Sequence, residues 1–190
     1  MSDKRRQVSE EAIVRHCAPT LAGLKTGSLF SCPCTAREIL WRELRHWDAR
    51  LSPRGVRILP LRVREGRALV YGYRPSRLHA DLSDENACRL LRDFGYPTGC
   101  PALCLAQLIR RLRESPEFPH EIGLFLGYPP EDVAGFIENQ ARAYKCAGCW
   151  KVYGDEERAR RLFAAYQRCT DIYYRHWSDG MSVEQLTVAV

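Results

Sequence analysis

The sequence has no long apolar run and no apolar leader. None of its apolar stretches approaches the roughly 18 residues that a membrane-spanning helix needs, so we expect no membrane partner. The first residues, MSDKRRQVSEEAIVRH, lack the apolar core of a secretory signal, which predicts a cytoplasmic protein. Internal repeats and low-complexity linkers are also absent, and 190 residues suffice for one domain with its own core. A single domain spanning residues 1–190 is therefore the expectation.

Lysine is scarce, so arginine carries nearly all of the positive charge. The formal net charge is +6, and an arginine-rich surface can bind nucleic acid or other anions. Here the arginines alternate with acidic residues, as in LRESPE and GDEERARR, a pattern typical of a solvated helix face of mixed charge. We therefore expect that nucleic acid is not a partner.

Nine cysteines are a high count for a chain of this length, and the number is odd. An odd number without an export signal argues against a disulfide scaffold. Reduced thiols serve as small buried hydrophobic groups, as metal ligands or as reactive groups. We use the spacing of the cysteines along the chain to distinguish these three roles.

Apolar periodicity predicts an α+β fold. The clearest signal is GVRILPLRVREGRALVYGYRP, in which two extended runs flank Arg64-Glu65-Gly66-Arg67, a connection typical of an antiparallel hairpin. SLFSC (28–32) also favours a strand, and EIGLFLGYP (121–129) does so because of its glycines and the prolines that follow. With helices predicted between these segments, we expect a mixed or antiparallel sheet of about four or five strands covered by helices.

Capping signals mark the starts of two predicted helices. Ser9 precedes acidic residues at the start of the helical segment 8–24 and is its predicted N-cap. Thr35 is followed three residues later by Glu38, which is the pattern of a capping box. A further helix is predicted over residues 76–95, ending at Gly95.

Cys146-Ala-Gly-Cys149 is the sharpest chemical motif. A CxxC sequence forms either half of a metal site or a dithiol redox pair. A thioredoxin-like pair needs its first cysteine at a helix N-terminus, whereas the Trp-Lys-Val-Tyr that follows here is typical of a strand. Cys32-Pro-Cys34 could complete a four-sulfur site for zinc or an iron–sulfur cluster, and haem is a further candidate cofactor of the protein. Structural packing of these thiols is the alternative.

The segment HCAPTLAGLKTGSLF (16–30) is small and apolar, yet it keeps a cysteine and a lysine. Cys17 is a candidate catalytic nucleophile, and Lys25 is a candidate anion-binding group on a turn of small residues. His120, at the start of EIGLFLGYP, is a candidate general base or metal ligand. We expect Cys17, Lys25, His120 and Cys149 to border one small-molecule cleft. The alternative is packing or hydrogen bonding alone, with Lys25 reaching solvent.

Long stretches of the chain resemble a family from anaerobic, clostridial-type bacteria that is known only as a domain of unknown function. The segments that carry the resemblance are HCAPTLAGLKTGSLF, LSPRGVRILPLRVREGRALVYGYRPSRL, FPHEIGLFLGYPPEDVAGFIEN and CAGCWKVYGDEERARRLFAAYQRCT. The resemblance covers almost the whole chain and implies a stand-alone, single-domain cytosolic protein. It implies neither a reaction nor any catalytic residue.

Three hypotheses about function follow. The first is a thiol-rich protein that handles redox equivalents or metal (iron, zinc or an iron–sulfur cluster) in anaerobic metabolism. The second is a small-molecule enzyme in which Cys17 or His120 reacts and Lys25 holds an anion. The third is a binding or regulatory module without catalysis. The thiol count and the anaerobic setting implied by the resemblance favour the first, and whether the protein is an enzyme stays open.

Overall fold

A computed structural model of the chain describes residues 7–189, which form nine α-helices, one short 3-10 helix and five β-strands. The helices are α1 (Glu10–Leu21), α2 (Arg37–Leu51), α3 (Pro75–Leu82), α4 (Glu85–Asp93), α5 (Pro101–Glu114), α6 (Ile122–Phe125), α7 (Pro130–Glu138), α8 (Glu156–Ser178) and α9 (Val183–Leu186), and the 3-10 helix is Ser52–Arg54. The strands are β1 (Gly27–Pro33), β2 (Arg57–Arg64), β3 (Arg67–Tyr73), β4 (Cys146–Ala147) and β5 (Lys151–Val152).

The described chain divides into two compact units. The first contains the residues up to Pro75 and those from Tyr166 onward, and the second contains Ser76–Ala165. Helix α8 therefore contributes residues to both units. Among the helices of residues 7–189, none combines the length and the apolar character needed to cross a lipid bilayer. The expectation of a single domain stays a prediction.

The first unit is built on a three-stranded antiparallel sheet in the order β1-β3-β2. The predicted hairpin between β2 and β3 is confirmed, with Arg64 opposite Arg67. Its two-residue turn has φ of 51° at Glu65 and 69° at Gly66, and two consecutive positive φ angles are what a tight hairpin turn requires. β1 then pairs with the other edge of β3, so the predicted strand at residues 28–32 is also confirmed.

The predicted sheet of four or five strands is wrong, although the mixture of helices and strands is confirmed. Residues 7–189 form one three-stranded sheet and one two-stranded sheet, β4-β5. The segment EIGLFLGYP forms the short helix α6 instead of a strand, because a short apolar run that is buried on all sides suits either structure. The predicted helix over residues 76–95 is two helices, since Asp84 breaks it and caps α4 by accepting from Asn86 N and Ala87 N.

The two capping predictions have different outcomes. Ser9 is the N-cap of α1, and its hydroxyl accepts a hydrogen bond from Ala12 N at 3.1 Å. The capping box at Thr35 is wrong, because α2 starts one residue later with Ala36 as its N-cap. The Thr35 hydroxyl instead accepts from the side-chain amide of Gln7 at 3.1 Å. A long-range contact thus replaces the local cap.

The core of the first unit lies between the sheet and helices α1, α2 and α9. Alternation along the strands sends one set of side chains into this core, and the indole of Trp47 donates to Val8 O at 3.0 Å. Three of the predicted site cysteines belong to this apolar cluster. Its members include Ile13, Cys17, Phe30, Cys32, Cys34, Leu40, Leu44, Ile58, Val70 and Val183.

Arg74, directly after β3, is only 1% exposed and holds several chain segments together. Its Nε donates to Thr20 O at 2.7 Å, and its Nη2 donates to Leu21 O at 2.5 Å and to Val188 O at 2.7 Å. A longer bond of 3.3 Å reaches Arg54 O. The Thr20 and Leu21 carbonyls end helix α1, where unsatisfied carbonyls carry the negative end of the helix dipole. One guanidinium therefore caps α1 and fastens both the 3-10 helix and the C-terminal segment to it.

We predict that Arg74→Lys lowers the free energy of unfolding by about 2 kcal/mol or more. An ammonium group keeps the charge but cannot span four carbonyls as the planar guanidinium does. Urea denaturation followed by circular dichroism measures the change, with Arg45→Lys on the exposed face of α2 as the control. Equal stability of the two variants would contradict this role for Arg74.

Candidate functional site

The Cys146–Cys149 motif lies in a small β-hairpin of the second unit, called here the CxxC hairpin (residues 145–154). Cys146 pairs with Val152, and Ala147 pairs with Lys151, so the chain reverses through a three-residue loop that has Cys149 at its centre. Within the loop, Gly148 N donates to Trp150 O at 3.0 Å. The Cys149 residue is exposed, whereas Cys146 is buried at 9% exposure. The motif thus has an exposed cysteine in the loop and a buried cysteine three residues earlier, in β4.

Asp132, in the first turn of α7, anchors the CxxC hairpin. The residue is 2% exposed. Its Oδ1 accepts from Tyr153 N and Gly154 N, both at 2.7 Å, and its Oδ2 accepts from Trp150 Nε1 at 2.7 Å. Hydrogen bonds to a carboxylate are short and strong, so three of them fix the loop and the return strand to α7.

Aromatic rings pack around the loop at van der Waals distance. The Trp150 ring stacks on Tyr128 at 4.7 Å and meets Phe163 edge-on at 4.5 Å, and the Tyr128 hydroxyl donates to Cys149 O at 3.2 Å. Gly148 lies so close to Phe163 that a Cβ on it would be 2.3 Å from the ring. Glycine between the two cysteines is therefore required by close packing.

Two lysines of the CxxC hairpin and one arginine of α8 contribute positive charge to this part of the second unit. Lys145 Nζ donates to Gly154 O at 2.6 Å within the hairpin, whereas Lys151 Nζ donates to Ala141 O at 2.7 Å outside it. The pKa of Arg160 is raised, first by its hydrogen bond to Glu156 and also by the Cys146 thiol, so this guanidinium lies within electrostatic range of the sulfur.

Cys17 and Lys25, two of the predicted site residues, lie in the first unit. Cys17 is 2% exposed, and burial raises the pKa of its thiol to about 12, with the Lys25 charge acting in the opposite direction. Gly72 of β3 has no side chain, and a Cβ added to it would lie 3.1 Å from the Cys17 Sγ. The thiol therefore packs against the backbone of β3. Lys25 is half-buried, with its Nζ 5.9 Å from the centre of the Tyr166 ring. The structure thus brings Cys17 and Lys25 within electrostatic range of each other.

His120 belongs to the second unit, as Cys149 does. It is exposed, and its ring packs against Phe136 at 4.9 Å and Phe118 at 5.9 Å. The cleft expected to join Cys17, Lys25, His120 and Cys149 draws on both units and stays a prediction.

The four-sulfur site also draws on both units. Cys32 and Cys34 lie in the apolar cluster of the first unit, and burial raises the pKa of Cys32 to about 11. Cys146 and Cys149 lie in the second unit. Within residues 7–189, no three or more His, Cys, Asp or Glu side chains are grouped so as to hold a metal ion. The four-sulfur site stays a prediction.

Asp132 is the residue of this site that sequence reasoning missed. The run PPEDV predicts the start of a helix, in which acidic residues favour the positive end of the helix dipole. Nothing local distinguishes Asp132, which is buried, from its exposed neighbour Glu131. The partners of Asp132 are an indole and a glycine-containing turn about twenty residues later in the sequence. Their contact with the start of α7 is evident only in three dimensions.

We predict that brief alkylation by iodoacetamide at pH 8 modifies Cys149 and Cys100, which are both exposed. Cys17, Cys32 and Cys169 should resist it until the protein unfolds, because burial raises their pKa values to about 12, 11 and 11. Peptide mass spectrometry measures the modified fraction at each cysteine. Labelling of Cys17 as fast as that of Cys149 would contradict this assignment.

We predict that Gly148→Ala lowers the free energy of unfolding by about 1–3 kcal/mol, because the new methyl group overlaps the Phe163 ring. The same substitution should have a smaller cost in a Phe163→Ala background, where the space is vacant. Chemical denaturation of the four proteins measures both costs. Equal costs in the two backgrounds would exclude the ring as the reason for glycine.

Comparison with known proteins adds a family. No curated protein and no solved structure matches the chain. A family model described as protein of unknown function (DUF3793) matches residues 13–187, which is nearly the whole chain. The match confirms the resemblance to a family known only as a domain of unknown function, while the clostridial origin stays a prediction. The chain belongs to the DUF3793 family of proteins of unknown function.

Proposed function

We propose that this protein carries out thiol–disulfide exchange with the Cys146–Cys149 pair as its working dithiol. The observation that carries the proposal is an exposed cysteine at the centre of a hairpin loop, three residues after a buried one, on a hairpin anchored through Asp132. A CxxC dithiol of this kind can close into a disulfide and open again.

The proposed reaction oxidises the dithiol with a small-molecule disulfide as the co-reactant. The Cys149 thiolate attacks one sulfur of the disulfide, which forms a mixed disulfide and releases a thiolate that takes up a proton. The Cys146 thiolate then attacks the Cys149 sulfur, which closes the protein disulfide and releases the second thiol. Two electrons pass from the protein to the co-reactant, and the reverse steps reduce the protein.

The two sulfurs differ in the way that this sequence of steps requires. Cys149 is accessible to a co-reactant from solvent, and Cys146 is largely covered, which suits an internal second attack. Lys145 and Lys151 carry positive charge on this hairpin, and Arg160 lies within electrostatic range of Cys146. The charge comes from side chains here, whereas thioredoxin-like pairs obtain it from a helix N-terminus.

Metal handling by the same pair is the second candidate function. Paired thiolates are preferred ligands of soft ions, and the CxxC hairpin carries two cysteines three residues apart. Zinc and iron–sulfur clusters need further ligands, which Cys32 and Cys34 would supply in the four-sulfur prediction. The enzyme hypothesis for Cys17, His120 and Lys25 and the hypothesis of a non-catalytic module also remain predictions.

We predict that reduced protein, equilibrated with a buffer of oxidised and reduced glutathione, forms a disulfide between Cys146 and Cys149. Cys149→Ser should abolish the reaction, because the attacking thiol is lost. Cys146→Ser should stop the reaction at a mixed disulfide on Cys149, because no second thiol is present to attack it. Acid quenching, alkylation and peptide mass spectrometry identify each species. Zinc added to parallel samples tests the metal candidate, since bound zinc protects both thiols from alkylation.

The matched control is Cys100→Ser, which removes another exposed cysteine of the second unit. This variant should form the Cys146–Cys149 disulfide as the unaltered protein does. A Cys146–Cys149 pair that stays reduced in strongly oxidising buffer would contradict the redox proposal.

A further inference from the structure

We infer that the hairpin end of the three-stranded sheet binds a small phosphorylated molecule. A cleft of about 310 Å³ opens there, called here the arginine cleft. Its polar lining consists of Arg62, Arg64, Arg67, Ser31 and Glu65. The cleft belongs to the first unit, whereas the CxxC hairpin belongs to the second.

A β-bulge directs the arginines of β2 into the cleft. Leu59 pairs with Tyr71 and Pro60 with Val70, but the next pair is Arg62 with Leu69, so Leu61 is the extra residue. In a regular strand, Leu61 would take the place of Arg62, and both Arg62 and Arg64 would face the apolar core. The bulge reverses this alternation and puts the two arginines on the sheet face opposite the core.

The neighbouring strands complete the cleft. Ser31 and Arg62 both pair with Leu69, and Arg64 pairs with Arg67. The Arg67 guanidinium lies across β1, donating from Nε to Ser31 Oγ at 2.9 Å and from Nη2 to Ser31 O at 3.3 Å. Like charges directly opposite each other destabilise a sheet, so the Arg64–Arg67 pair has a cost that a bound anion would offset.

The acidic side chain of the cleft is a weak competitor for an anion. Glu65 forms an ion pair with Arg64 at 3.1 Å, but the two side chains are 81% and 60% exposed. An ion pair at such exposure contributes little free energy, so a ligand with a higher charge density can replace it.

The chemistry of the cleft selects phosphate. A guanidinium presents two parallel N–H donors that match two oxygens of a phosphate group, and three guanidinium groups suit a ligand with more than one negative charge. The volume is at the lower end of the range for small-molecule pockets, which suits a ligand the size of a nucleotide or smaller. A nucleic-acid backbone shares the phosphate chemistry but extends beyond such a cleft.

Isothermal titration calorimetry with inorganic pyrophosphate, ATP and a ten-nucleotide single-stranded DNA tests the inference. Wild-type protein should bind pyrophosphate or ATP, and Arg62→Gln and Arg64→Gln should each weaken that binding by about 10-fold or more, since each removes a charged hydrogen-bond donor. The control is Arg45→Gln on α2, which changes the net charge equally and should keep wild-type affinity. Thermal melts of all variants verify folding, and two separate cleft variants keep the test valid if one of them unfolds.

Three outcomes would overturn the inference. The first is failure of wild-type protein to bind pyrophosphate or ATP at millimolar concentration. The second is an equal loss of affinity in Arg45→Gln, which would indicate attraction by net charge alone. The third is much tighter binding of the DNA than of ATP with the same arginine dependence, which would assign the cleft to a nucleic-acid backbone.

Discussion

The structure depends on the rule that a charge buried away from water must be saturated with hydrogen bonds from its own chain. Arg74 meets it in the first unit by donating to main-chain carbonyls at the end of α1 and in the C-terminal segment. Asp132 meets it in the second unit by accepting two main-chain N–H groups and an indole N–H. Each charge fixes segments that are distant in sequence. The position of the CxxC hairpin follows from the second case.

Burial divides the nine cysteines into chemical and structural groups. The thiols of Cys17, Cys32 and Cys169 are covered, and their raised pKa values keep them neutral near pH 7, so they act as small hydrophobic side chains. Cys149 is exposed on a loop that is held by the Tyr128 hydroxyl and by the Asp132 carboxylate. A high cysteine count therefore indicates little by itself, and the reactive candidates are few.

Local signals predicted the parts of the fold that depend on local chemistry. The β2–β3 hairpin and the Ser9 cap are examples, because a Glu-Gly turn and a serine before acidic residues each specify one geometry. The register shift at Leu61, the helical form of residues 122–125 and the roles of Arg74 and Asp132 depend on partners far along the chain. For the candidate site, the cysteine pair was evident from its spacing, whereas the residues that hold it in place were not. Sequence patterns do not encode which distant backbone groups a buried charge will meet.

The central claim is that Cys146 and Cys149 form a working dithiol, and its most direct test is the midpoint potential of that pair. Equilibration in glutathione or dithiothreitol buffers, followed by alkylation and mass spectrometry of the peptide, gives this potential. For a working dithiol we expect a midpoint between roughly −180 and −270 mV, the range of proteins that exchange disulfides in cells. A midpoint below roughly −300 mV, typical of a structural disulfide, or no disulfide at any potential would show that the pair is not a working dithiol.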